Sequence, residues 1–176
     1  MRFFKKNSIF PAMALIILVS AVFGCTHLPP NVVKIDDIVS RGAASSEMVT
    51  SGIVLNDLQG VPVNLSLINQ PTILFFWTTW CPYCRKEIKA LNQIYPQLKK
   101  EGIAVFAINI KEAGYKVQRF FQDYQLNFRV LLDKDAKAAD SYDLLGVPTY
   151  ILLNKANEQV AQENRLPADY KNLLFK

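Results

Sequence analysis

Phe75-Phe76-Trp77-Thr78-Thr79-Trp80-Cys81-Pro82-Tyr83-Cys84-Arg85-Lys86-Glu87 carries an apolar, aromatic run that stops at two cysteines separated by two residues. A helical pattern begins at once, so both sulfurs fall where a strand hands over to a helix. The first amides of a helix have no intrahelical partners and carry partial positive charge, which stabilises a thiolate over a thiol. Cys81, at the cap, is the expected nucleophile and the more accessible of the pair. Pro82 suits the first helical position, where a missing N–H leaves nothing unpaired. Cys84 sits one turn in, close enough to close a small disulfide ring, and is the expected shielded, resolving thiol. A lone C-x-x-C is also half of many zinc sites, but zinc takes about four ligands. The only other cysteine and the only histidine are Cys25 and His27, far upstream.

Working outward, the pieces VLNDLQGVPVNLSLINQPTILFFWTTWCPYCRKEIKAL, GIAVFAINI and FRVLLDKDAKAADSYDLLGVPTYILLN follow one another at a characteristic spacing. Over residues 48–161 the chain resembles the membrane-tethered thiol-disulfide oxidoreductases of the TlpA/ResA type. The resemblance implies an α/β, thioredoxin-like fold, with a central mixed sheet flanked by helices, an N-terminal β-hairpin extension and a helix-strand insertion. It also implies that Pro148, in Gly146-Val147-Pro148-Thr149, is a cis-proline facing the cysteine pair. Trp80, Pro82, Tyr83, Val147 and Pro148 are then the expected contacts for a partner strand. Glu87, three residues after Cys84, matches an acidic residue that such proteins carry beside the disulfide, where a carboxylate can relay the proton Cys84 must lose. The alternative is a carboxylate that only complements the helix dipole. Thioredoxin places a buried acid on the preceding strand where this chain has Phe75, which favours Glu87. Nothing at Pro82-Tyr83 resembles the histidine of the strongly oxidising DsbA type, so a reductase or isomerase-like role is favoured over an oxidase.

Length and composition fit one domain, with 176 residues and 51% hydrophobic content. Residues 1–24 supply part of that apolar content: Arg2, Lys5 and Lys6 precede an apolar stretch from Ala12 to Phe23, the layout of a signal peptide. These three charges account for more than half of the formal net charge of +5, so the basic balance is mostly a targeting feature and no nucleic-acid partner is implied. Val22-Phe23-Gly24-Cys25 resembles the bacterial lipoprotein cleavage box, although Phe23 departs from the small residue usual there. Acylation of Cys25 would account for an otherwise unpaired thiol and anchor the protein to a membrane. Residues 25–47, with Pro29-Pro30, Arg41-Gly42 and a small polar run, read as a lipidated tether that spans at most roughly 70 Å at about 3.3 Å per residue.

The domain then runs from 48 to 176. Residues 48–65 suggest a hairpin turning near Asp57 to Gly60, and Thr72 to Trp77 an apolar strand covered on both faces. Ile88, Leu91, Ile94, Tyr95 and Leu98 give the next helix its apolar stripe, with Pro96 inside it and Gly102 at its end. Strands are expected over 103–110 and 128–132, helices over 115–124, 135–145 (closed by Gly146) and 168–175, and a closing hairpin at 149–161.

The favoured function is a membrane-attached oxidoreductase on the periplasmic side of a bacterial membrane. It would reduce disulfides of exported proteins, be recharged by a membrane thiol reductant, and require no cofactor or metal. The resemblance names apocytochrome c as one client. Copper delivery on the same fold uses C-x-x-x-C with a distant histidine, which this chain lacks. A thiol peroxidase would need a single-cysteine peroxidatic motif that is absent, and a structural lipoprotein with an idle disulfide is the remaining alternative.

Overall fold

The computed structural model describes residues 52–176. The signal-like segment, Cys25, His27, the tether and the first residues of the expected hairpin lie outside them. Val54–Asp57 (β1) and Pro62–Asn64 (β2) pair antiparallel around a turn organised by Asp57. Its Oδ1 accepts the amides of Gln59 at 3.0 Å and Val61 at 2.8 Å, giving the donors of a tight loop their partners. Strand β2 stops at Asn64, before the expected Leu65. The Asn64 side chain accepts the Ser66 amide and turns Leu65–Leu67 into a short 3-10 segment.

Thr72–Trp77 (β3) is buried at every residue. Pro82–Lys100 (α1) follows, continues through Pro96, and is succeeded by Ala104–Ile110 (β4), Gly114–Asp123 (α2), Arg129–Asp133 (β5), Lys137–Ser141 (α3), Thr149–Leu153 (β6), Gln159–Glu163 (β7) and Tyr170–Leu174 (α4). The strands form one mixed sheet in the order β2-β1-β5-β4-β3-β6-β7. Strand β4 runs parallel to both β3 and β5, while β6 runs antiparallel to β3 with Phe76 opposite Thr149. Alternation along β3 divides the core. Ile73, Phe75 and Trp77 pack with Ile88, Leu91 and Leu98 of α1 and Phe120 of α2; Leu74 and Phe76 pack with Leu55, Leu65, Tyr142 and Ile151 on the other face.

Three helices end the same way. After α1, the amides of Gly102 and Ile103 reach back to the carbonyls of Lys99 and Leu98; after α2, those of Gln125 and Leu126 reach Gln122 and Phe121; after α3, those of Asp143 and Leu144 reach Asp140 and Ala139. Each left-handed residue, with φ of +74°, +48° and +48° respectively, closes a Schellman motif that pairs the last carbonyls. Helix α3 is accordingly much shorter than the 135–145 expected. It starts late because the buried Asp133 carboxylate takes the amides of Ala138 and Ala139 at 3.2 and 2.9 Å, and it stops early at Asp143. Gly146 does not close it; its carbonyl accepts the Thr149 hydroxyl at 2.8 Å in the loop that leads into β6.

Asp57 also ties the hairpin to β5, its Oδ2 accepting Arg129 Nε at 2.9 Å and Nη2 at 2.7 Å. Burial pushes this carboxyl up, but the Arg129 bonds and the turn amides outweigh it and hold the pKa below the ordinary value of 3.8. A depressed folded pKa gives stability that is present above the ordinary carboxylate range and lost as pH falls through the folded value. Asp57→Asn should therefore be less stable than wild type by about 1–2 kcal/mol at pH 7, Arg129 being partly exposed. In urea unfolding over a pH series the two curves should converge below about pH 4. A gap that stays constant into acid would show that the carboxylate charge contributes nothing.

Candidate active site

The end of β3 and the start of α1 create the site. Cys81 is the N-cap residue of α1, in extended conformation at φ −76° and ψ 116°, and its Sγ accepts the Cys84 amide at 3.1 Å. A sulfur stands where a serine or aspartate oxygen usually caps. Pro82 follows at the helix start, and the first turn holds no acidic side chain, so no carboxylate competes with sulfur for the amide field. Neither sulfur is bonded to the other.

Cys84 is fully buried, as expected. Cys81 is less accessible than expected, at 4% exposure, because the loop before β6 lies over it, with the Val147 carbonyl oxygen 3.9 Å from its Sγ. Burial is the main force raising the Cys84 thiol from 9.0 to about 12, with the hydrogen bond and charge of Cys81 adding to it and a backbone bond from Thr78 opposing it. Cys84 therefore holds its proton at neutral pH.

The approach to Cys81 is pinned by a residue that the sequence did not single out. Glu112 accepts the Thr79 amide at 2.6 Å through Oε2, the Thr79 hydroxyl at 2.6 Å through Oε1, and Asn109 Nδ2 at 2.7 Å. Arg85 Nε donates to the Thr79 carbonyl at 2.7 Å, so this one residue is held at three atoms. In the sequence Glu112 stands between Lys111 and Ala113 after an apolar strand, like any surface charge. Only the parallel pairing of β4 with β3, which sets Asn109 opposite Trp77, reveals its reach.

The residues expected to contact a partner strand lie beside the thiols, in the segment 80–83 and in the loop before β6. Trp80 and Tyr83 are 66% and 74% exposed, Pro82 is exposed, and Val147 and Pro148 are half-buried across a cis peptide bond. Glu87 is half-buried and accepts the Tyr150 hydroxyl at 3.3 Å. That tyrosine is buried against Phe75, with ring centroids 4.6 Å apart. Burial, reinforced by the Glu87 charge, pushes the Tyr150 phenol far up, so it remains a donor. A groove of 490 Å³ opens beside the pair between α1, the 145–148 loop and the chain after β7. Among the described residues no group of three or more His, Cys, Asp or Glu side chains is placed to hold a metal ion.

Residues 50–162 match the AhpC/TSA family. The chain belongs to that family. It is similar to the thiol-disulfide oxidoreductase ResA of Bacillus subtilis, with 29% identity over 97% of this chain and 95% of the relative. A crystal structure of a secreted disulfide oxidoreductase of Mycobacterium tuberculosis, homologous to DsbE of E. coli, superposes at a TM-score of 0.58, with 26% identity over 66% of this chain and 84% of that one. A secreted thiol-disulfide isomerase of Corynebacterium glutamicum gives 0.61, with 28% identity over 69% and 80%. The fold is thioredoxin-like, and this member of the AhpC/TSA family is a thiol-disulfide oxidoreductase with the Cys81–Cys84 pair.

Treating the reduced protein with iodoacetamide across a pH series should modify Cys81 first and leave Cys84 thiol-bound well past pH 9. Peptide mapping that finds Cys84 labelled ahead of Cys81 near neutrality would reverse the two roles. The same raised thiol makes reduced-state stability fall as pH rises from about 9 towards about 12, because the unfolded chain releases that proton first.

Proposed function

We propose that this oxidoreductase works as a reductant of disulfides in exported proteins, with apocytochrome c among the clients that the resemblance implies. The observation that carries this reading is the asymmetry of the pair. One sulfur caps a helix under the partner loop, and the other is buried and strongly protonated. The Cys81 thiolate attacks one client sulfur, a mixed disulfide forms, and the departing client thiolate takes up a proton. Cys84 then gives its proton to Glu87, attacks Cys81 Sγ and closes the internal disulfide, releasing the second client thiol. Two electrons pass from the protein to the client, and a membrane thiol reductant restores the dithiol. Trp80, Pro82, Tyr83, Val147 and Pro148 hold the client strand during the exchange. Glu87 suits its role by position, one turn beyond Cys84 and fixed by the Tyr150 hydroxyl.

The reading includes the N-terminal segment. Residues 1–24 act as a signal peptide, Cys25 carries the lipid, residues 25–47 form the tether, and 48–176 work on the periplasmic side of the membrane. Intact mass of membrane-bound protein should show the loss of residues 1–24 and acyl chains on Cys25. A Cys25→Ser protein that remains membrane-bound at full length would replace the lipid anchor with an uncleaved one.

Cys84→Ser should accumulate mixed disulfides through Cys81 with exported proteins, seen as reducible adducts on non-reducing gels. Absence of adducts, together with a couple more oxidising than the exported thiol pool, would overturn the reductant reading. Glu87→Gln should keep the adducts in that background while shifting the pH profile of exchange. An unchanged profile and rate would assign the proton to water.

A further inference from the structure

The groove beside the thiols carries two cations, Lys86 and Arg165, that the exchange chemistry does not use. Tyr83, Lys86 and Glu87 project from one face of α1, and across from them Arg165 follows the end of β7. Leu145, fully exposed, and Val147 give the opposite wall an apolar surface. A second groove of 350 Å³ shares Glu87 and Arg165 and continues over Leu91 and Ile94, so Arg165 stands at the junction of the two.

Lys86 and Arg165 have no ion-pair partner among the described residues, whereas Arg129, Lys137 and Lys171 each have one. Glu87, the one acid on the same wall, already accepts the Tyr150 hydroxyl. The groove therefore presents two uncommitted cations and one committed anion facing an apolar wall, next to the loop that covers Cys81. An extended segment seated across that loop would bring the side chains flanking its cysteine onto these cations.

We propose that this groove selects client segments carrying a carboxylate side chain close to the reactive cysteine, with Arg165 and Lys86 receiving it while Tyr83 and Leu145 pack against its apolar neighbours. The inference rests on the oxidoreductase acting on protein disulfides and adds a rule for which ones. Partly exposed charge pairs give modest discrimination that salt screens over about 10 Å at 0.1 M. The expected preference is therefore about 5-fold at low ionic strength, shrinking as salt is added.

The test uses full-length, prereduced protein in single-turnover reactions with synthetic disulfide peptides that differ only in carrying Glu, Gln or Lys near the cysteine, on either side. Neutral hydroxyethyl disulfide serves as a size control. Wild type should reduce the Glu peptide about 5-fold faster than the Gln peptide and the Lys peptide slowest, all converging in high salt. Arg165→Glu should invert the order, and Lys86→Gln should narrow it. Each preference is a ratio within one protein, so partial loss of folded material cannot imitate it. Reduction of hydroxyethyl disulfide with equal rates for all three peptides would overturn the groove assignment and leave the reductant reading standing. Failure to reduce any disulfide would instead overturn that reading. Equal peptide rates, with Arg165→Glu weakening adhesion to vesicles of anionic lipid, would give the two cations to the membrane surface and overturn the proposal.

Discussion

Two-sided burial of β3 is the constraint from which the rest of the molecule follows. A strand covered on both faces must be continuous, apolar and central, and its carboxyl end is then the place where the chain emerges from the core. Cys81 lies just past that end. Strand β6 runs antiparallel to β3, so its beginning meets the end of β3, and Pro148 arrives over the thiols without any further device. Parallel β4 ends on the same side and brings Asn109 and Glu112 to Thr79. Three strand ends thus converge on one sulfur, and the helix start caps onto it.

The two cysteines are made chemically unlike by a difference of one helical turn. Cys81 receives an amide hydrogen bond and sits beneath a loop that a client strand can meet. Cys84 is enclosed by the core and by the neighbouring sulfur, which disfavours its ionised form. Backbone and burial, the least adjustable parts of a protein, make this difference.

What the sequence revealed and what it hid divide along the range of the interactions. The strand 72–77, the helix after it, Cys81 at its cap and the burial of Cys84 were legible because they depend on neighbours within one or two turns. Pro148 was legible only through resemblance, since nothing local requires a cis bond between Val147 and Pro148. Glu112 was not legible, because its partner Thr79 lies 33 residues back and is reached only after β3 and β4 pair. Asp57 and Arg129, 72 residues apart, were hidden for the same reason. The length of α3 was misjudged because its apolar and small residues continue a helical pattern that a buried Asp133 and a left-handed Asp143 cut at both ends. Helix ends without glycine leave little trace in composition.

The three-point hold on Thr79 has a consequence for how such a site can change over generations. The segment that delivers the nucleophile is fastened from β4 and from Arg85, and not by the two residues enclosed between the cysteines. Pro82 and Tyr83 are exposed and the fastening is made by Glu112 and Arg85, so they can be exchanged without unseating the sulfur. Placement and tuning are thereby separable: the hold on Thr79 sets where Cys81 stands, while the dipeptide between the cysteines lies outside that fastening.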